Sequence, residues 1–375
     1  MIQRRDHARM KTIITLLLTA FLMHAADQLV DDHVMKVTTP ATVVSTRKAL
    51  VDFIWGTSWA AVQSKRPEAV QRGYILQPGD AMPAHLDNLK SVDRLDVSTE
   101  ARTRAGRTET ITSTAFILHP AKQNLHKAVI VHHGHGCEMV DTGKYPVHLE
   151  LLIRELVSAG YTVAAMRMPL FQSPSRCGVT RVHDRLFDAA LQDGSPLKFF
   201  MEPVARTVNY LAKQEPPLKE IDMIGLSGGG WTTTVYAALD PRVMKSFPVA
   251  GTVPLYMRNG HYNHDLEQYF SPVYRLAGYK DLYVLGAAGK ERLQLQILNR
   301  YDDCCFGERQ HLLTGVSYSN AVRRYESEVR TVLGRMQTGG FAVHLDESAH
   351  YHQISEQAIR EVILPVLGGG VLPER

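Results

Sequence analysis

The stretch Ile221-Asp-Met-Ile-Gly-Leu-Ser-Gly-Gly-Gly-Trp231 restricts the possible folds of this chain more than any other. A short apolar run of strand length ends in a serine and three glycines, and residues 232–239 then read as a helix. Glycine in a helix costs roughly 0.5–1 kcal/mol relative to alanine, so three in a row at a helix start need a physical cause. That cause is steric. A strand that doubles straight back into a helix crowds its own backbone at the turn, and only residues without a large side chain allow the close approach. The chain is therefore committed to a strand and a helix lying side by side, joined at Ser227.

The same alternation runs along most of the sequence. Residues 92–97 alternate apolar and polar, and residues 108–118 are rich in Thr and Ile with a strand period. Residues 127–132 are almost wholly apolar, as expected for a strand buried on both faces, and lead into His133-Gly134-His135-Gly136. Leu149, Leu152, Ile153 and Leu156 fall at helical spacing, with Gly160 as a stop. Further strands are predicted at 161–166, 221–225, 247–250, 293–298 and 341–345, and further helices at 201–213, at 232–239 and after Ser355, a suitable cap. Alternation of this kind predicts an α/β fold, a mainly parallel sheet with helices on both faces, over residues 91–375. No repeat or linker divides it. Residues 27–90, helical around 47–55 and broken at Pro78-Gly79 and Pro83, read as an N-terminal elaboration.

Arg4, Arg5, Arg9 and Lys11 precede a short apolar run that ends near Ala25 and Ala26. This reads as a secretory signal over residues 1–26, for which Met10 would itself be a good start. The run is shorter than the ~20 residues that span a bilayer, so the expectation is an exported chain without a stable membrane anchor. The formal charge of +4 on 375 residues is spread without a basic block, which gives no support to nucleic-acid binding. Export permits disulfides among Cys137, Cys177, Cys304 and Cys305, in pairings the sequence leaves open. Their spacing is not that of a metal site. His132 and His133 fall on opposite faces of a strand, so no metal ion is expected among the histidines of this loop.

Gly225-Leu-Ser-Gly-Gly229 fits G-x-S-x-G between a strand and a helix, the context of a nucleophile elbow. An alkyl alcohol is a weak nucleophile, so Ser227 needs a base and a carboxylate to orient that base. The strand at 293–298 opens into Asn299-Arg-Tyr-Asp-Asp-Cys-Cys305, which places Asp302, with Asp303 as its rival, where the acid belongs. Asp265 is also downstream but lies inside a Tyr-rich insertion. After the last strand, His352 and its rival His350 precede the final helix. An oxyanion hole needs two backbone N–H donors. Gly228 follows the nucleophile, and His135 lies in the loop of HGxG type after an earlier strand.

With Ser227, Asp302 and His352 in that order, the chain resembles the α/β-hydrolase superfamily, in the neighbourhood of dienelactone hydrolases and acetyl xylan esterases. The resemblance covers about residues 92–368 and implies a serine esterase that uses no cofactor and acts on a small-molecule or carbohydrate ester. It also implies that Cys137 and Cys177 lie at neighbouring strand ends, within reach of a bridge. Residues 252–285 would form a lid-like insertion or an ordinary packed one, and Trp231 is a candidate for the acyl pocket or for packing beneath the sheet. A peptidase of the same fold, or a non-catalytic binding protein on this scaffold, are the other readings. Gly230 and the adjacent Cys304-Cys305 pair depart from what the motif requires.

Overall fold

The computed structural model describes residues 32–370 apart from 78–79, 81, 84–85, 123, 136–146, 171–182, 189, 259–264 and 312–314. The expected signal at 1–26, Cys137 and Cys177 lie outside the described residues.

Nine strands form one sheet: β1 Ala69–Gln71, β2 Leu89–Arg102, β3 Thr108–Pro120, β4 Lys127–His133, β5 Thr162–Arg167, β6 Glu220–Leu226, β7 Val243–Val249, β8 Leu293–Asn299 and β9 Gly340–Asp346. Their spatial order is β1-β2-β3-β5-β4-β6-β7-β8-β9. From β5 to β9 every pairing is parallel, while β1, β2 and β3 form an antiparallel edge. The mainly parallel sheet expected from the alternation is thus present. β4 has β5 on one side and β6 on the other, so the winding direction reverses there. Such a reversal opens a crevice at the C-terminal strand ends, the usual place for a ligand in an open α/β sheet.

The side-chain period of two divides the core. Ala128 and Ile130 of β4 face one apolar cluster, which also holds residues of the helices Pro40–Trp55, Lys198–Leu211, Gly228–Leu239, Tyr279–Ala287 and Tyr318–Met336. Val129 and Val131 face the other, beneath the helix Val147–Ser158 and the C-terminal turns Ala358–Ile363 and Leu364–Leu367. Ser355 caps those turns by accepting from the Ala358 N–H at 2.9 Å.

The N-terminal segment is bonded into the body. Asp281 accepts from the N–H groups of Lys36 and Val37, Asp32 accepts from that of Leu255, and the Trp55 indole donates to Glu202 at 2.6 Å. Among the described residues, no helix is long and apolar enough to cross a membrane.

Candidate active site

Ser227 stands between β6 and its helix with φ 60° and ψ −125°, a backbone conformation that L side chains rarely adopt. Its N–H donates to Val249 O at 2.9 Å, and its own carbonyl accepts from the Trp231 N–H. The crowding inferred from the sequence is measurable. A Cβ on Gly229 would lie 2.0 Å from His132 O, and one on Gly230 would lie 2.7 Å from Val249 O. The third glycine, which the motif does not demand, is therefore required by the end of β7.

A ladder of hydrogen bonds links the strand ends from the serine outward. Ala250 N–H donates to Ile297 O at the end of β8, and the Asn299 side chain donates to Tyr351 O and Gln353 O at 3.1 and 2.7 Å. Those two bonds grip the residues on either side of His352. Its Nδ1 lies 2.7 Å from Asp302 Oδ2. Asp302 is fully buried, and its other oxygen accepts from the N–H groups of Cys304 and Cys305 at 2.8 and 3.2 Å. Hydrogen bonds to a charged group contribute about 1.5–3 kcal/mol each, enough to hold the carboxylate in one orientation. Cys304 and Cys305 are disulfide-bonded to each other.

The two rivals go elsewhere. Asp303 is exposed, and His350 stacks on Tyr301 with ring centroids 5.5 Å apart. His352 Nε2 is buried and makes no hydrogen bond among the described residues. The serine–histidine bond of a complete triad is not formed; such bonds commonly tighten only when substrate is present.

The loop after β4 lies against this elbow. A Cβ on Gly134 would come within 2.6 Å of Ser227 Cβ and 2.8 Å of Gly228 N, and one on Gly228 would meet the His135 ring at 2.5 Å. Gly228 and His135 are thus neighbours of Ser227. The histidines of this loop divide electrically. Burial pushes His132 down to about 4 despite its bond to His133 O, and His133 falls well below its ordinary range for the same first cause. Burial acts on His135 too, but Asp265 and Glu267 outweigh it and raise this imidazole.

His135 meets partners that sequence reading missed. Its Nε2 is 2.9 Å from Glu267 Oε1 and 3.2 Å from His183 Nδ1, and His183 Nδ1 is 3.0 Å from the same Glu267 oxygen. His183 and Glu267 follow β5 and β7, at 48 and 132 residues from His135, so no local spacing signals them. Among the described residues, this cluster and the Cys304–Cys305–His352 group are the ones whose potential metal-ligand atoms converge. His132 and His133 belong to neither.

Two expectations need correction. Trp231 is fully buried, donates its indole N–H to Tyr274 Oη at 2.8 Å and packs edge-on to Phe200, so it is a core residue and not part of an acyl pocket. The reading of 252–285 as lid-like fails for its second part. Tyr274, Tyr279 and Tyr283 are at most 1% exposed, and Tyr279–Ala287 is a buried helix against the sheet. Aromatic rings of this size contribute most where water is excluded, and here they fill the core.

No protein-family model matches the sequence, and no curated protein matches it. Solved structures do. A methylesterase superposes with a TM-score of 0.54 at 15% identity, covering 85% of this chain and 60% of that one. The chain therefore spans less than two thirds of that relative's length. An acetyl xylan esterase from Paenibacillus sp. R4 superposes with a TM-score of 0.50 at 15% identity, covering 89% of this chain and 96% of that one. At such identity the likeness concerns architecture, and it agrees with the strand order and the strand–serine–helix turn: this chain has the α/β-hydrolase fold, in the structural neighbourhood of these esterases.

Proposed function

We propose that this chain is a serine hydrolase that cleaves a carboxylic ester through an acyl-enzyme. The observation that carries the reading is the orientation of His352. Its Nδ1 is held by the buried Asp302 at 2.7 Å while Nε2 has no partner among the described residues, at the same sheet edge as the strained Ser227.

In this reading Ser227 Oγ attacks the carbonyl carbon and His352 Nε2 takes the hydroxyl proton. Asp302 keeps the ring in the tautomer that leaves Nε2 able to accept and stabilises the imidazolium that follows. The oxyanion is received by the N–H groups of Gly228 and His135. Collapse of the tetrahedral intermediate expels the alcohol, which leaves with the proton from His352. Water then attacks the acyl-enzyme with His352 again as base, releasing the acid and restoring Ser227. The chain's own groups supply each proton transfer, so the reading requires no cofactor in the hydrolysis.

The fold neighbours are named as a methylesterase and an acetyl xylan esterase, and a small ester carried on a carbohydrate is the substrate class we adopt. On the basic and apolar pattern of residues 1–26 we also place the protein outside the cytoplasm. Sequencing the amino terminus of the secreted chain tests this, with a start near residue 27 expected.

Hydrolysis of p-nitrophenyl acetate and butyrate tests the chemistry. Ser227→Ala and His352→Ala are each expected to lose at least ~10³-fold in kcat, with His350→Ala close to the parent. A Ser227→Ala variant as active as the parent overturns the reading. Acetate hydrolysed faster than butyrate supports the small-acyl assignment, and the reverse order removes it.

A further inference from the structure

His135, His183 and Glu267 converge in a way that the hydrolysis above does not use. Their three facing atoms are separated by 2.9, 3.0 and 3.2 Å. Four ligands arranged tetrahedrally at ~2.0–2.1 Å from a zinc ion stand about 3.3 Å apart, so an ion entering here needs to spread these atoms by only a few tenths of an ångström.

The outer nitrogens of both rings are also engaged. His183 Nε2 lies 2.8 Å from Pro169 O, a pure acceptor, so that nitrogen carries the proton. His135 Nδ1 faces the Asp265 carboxylate at 3.6 Å. The inner nitrogens of both rings face Glu267 Oε1, an acceptor. Two ring nitrogens and a carboxylate oxygen within 3.2 Å of one another need positive charge among them, from a ring proton or from an ion. A ring bonded at its far nitrogen to a carbonyl, beside one whose far nitrogen faces a carboxylate, resembles the second layer of a metal site. Independently, Glu267 is fully buried and its second oxygen has no hydrogen-bond partner among the described residues, although buried carboxylate oxygens are normally satisfied.

We propose that His135 Nε2, His183 Nδ1 and Glu267 form a three-ligand site for one Zn²⁺ ion, with Asp265 and Pro169 O orienting the two rings. Two imidazoles and a carboxylate suit zinc better than calcium or magnesium, which prefer oxygen donors. The ligands follow β4, β5 and β7, so the ion ties together three loops at the C-terminal edge of the sheet. One of these carries His135 beside Gly228. Any consequence for catalysis rests on the hydrolase reading, whereas the site itself does not.

The test is zinc retention by the full chain. Protein stripped with a chelator, reloaded with Zn²⁺ and set against a chromogenic competitor is expected to hold one equivalent. Co²⁺ in its place is expected to give the visible absorption of a low-coordinate site. Even outer partners of a metal site cost 10–100-fold in affinity, so Glu267→Gln and His183→Ala should each weaken Zn²⁺ binding by at least ~100-fold and Asp265→Asn by ~10-fold. Glu267→Gln keeps the shape of the side chain and serves if His183→Ala does not fold. A parent chain that retains no Zn²⁺, or a Glu267→Gln variant that binds as tightly as the parent, overturns the proposal. So does binding that is lost on Cys304→Ser and kept in Glu267→Gln. Ser227→Ala is expected to keep its zinc while losing hydrolysis, so failure of the hydrolase reading leaves a distinct signature.

Discussion

Asp302 and Glu267 are both fully buried carboxylates that touch histidine at the same edge of the sheet. Around Asp302, two backbone N–H groups occupy one oxygen and a single imidazole the other. Around Glu267, two imidazoles crowd one oxygen and the other has no hydrogen-bond partner among the described residues. Burial would raise the Glu267 carboxyl, yet the rings of His183 and His135 hold it well below its ordinary range. A carboxylate whose lone pairs all have separate donors can orient a base and do little else. One on which several ring nitrogens converge is suited to a cation.

Asp222 on β6 shows a third outcome. It too is fully buried, but among the described residues only one oxygen is bonded, to the Lys245 N–H at 2.8 Å, and no histidine bonds to it. Burial, followed by the nearby Glu220, pushes its carboxyl up from 3.8 to about 8, so it keeps its proton at neutral pH. Buried carboxyl groups in this molecule thus end as a histidine's fixed partner, a candidate cation ligand or a group pushed toward its neutral form, according to what lies within hydrogen-bond reach.

The largest effect that would break the comparison comes from Asp302→Asn. An amide there favours the wrong imidazole tautomer, and the corresponding change in a serine protease costs ~10⁴-fold. A loss of that order in kcat is expected with zinc affinity unchanged. Parallel loss of both would mean that the two carboxylates form one cluster.

A smaller effect is expected at the turn that carries Ser227. In Gly230→Ala the new methyl would press on Val249 O, Gly225 O and the Gly251 Cα at 2.7, 3.0 and 3.0 Å. Forced overpacking costs ~1–3 kcal/mol, and each kcal/mol lowers the Tm of a domain of 150–250 residues by ~2–4 °C, less in a longer chain. Thermal unfolding reads this directly, and an unchanged Tm would show that the helix can shift at no cost.

The smallest effect concerns Asp222 and depends on pH. Its folded value is raised, so its contribution to stability is fully present below about pH 4 and is lost as pH rises through about 8. Asp222→Asn removes that slope. Its Tm relative to the parent should therefore improve from pH 5 to pH 9, and a constant difference across that range would show that Asp222 is not protonated in the fold.

Much of this was legible in the chain. The tight turn at Ser227 and the alternation of strands and helices depend on neighbours a few residues apart, and such features leave a periodic or compositional trace. Asp302 and His352 were legible as candidates because both follow a strand end. They already led Asp303 and His350 in the sequence, but one or two residues of loop decide which side chain turns inward. Trp231 was misjudged for a related reason. Adjacency to the serine says where a residue lies along the helix, but not that Tyr274 and Phe200 close over it.

By itself, then, the sequence determined the layered α/β architecture, the sharp turn at Ser227 and the order serine, acid, histidine along the chain. Only the tertiary structure decided that His135 would meet His183 and Glu267, that Gly230 must clear the end of β7, and that the tyrosines of 274–283 would be core. Each of these depends on which strands lie side by side. That order, β5-β4-β6-β7, arises from crossovers spanning many residues, and contacts made across them have no fixed spacing for a sequence to display.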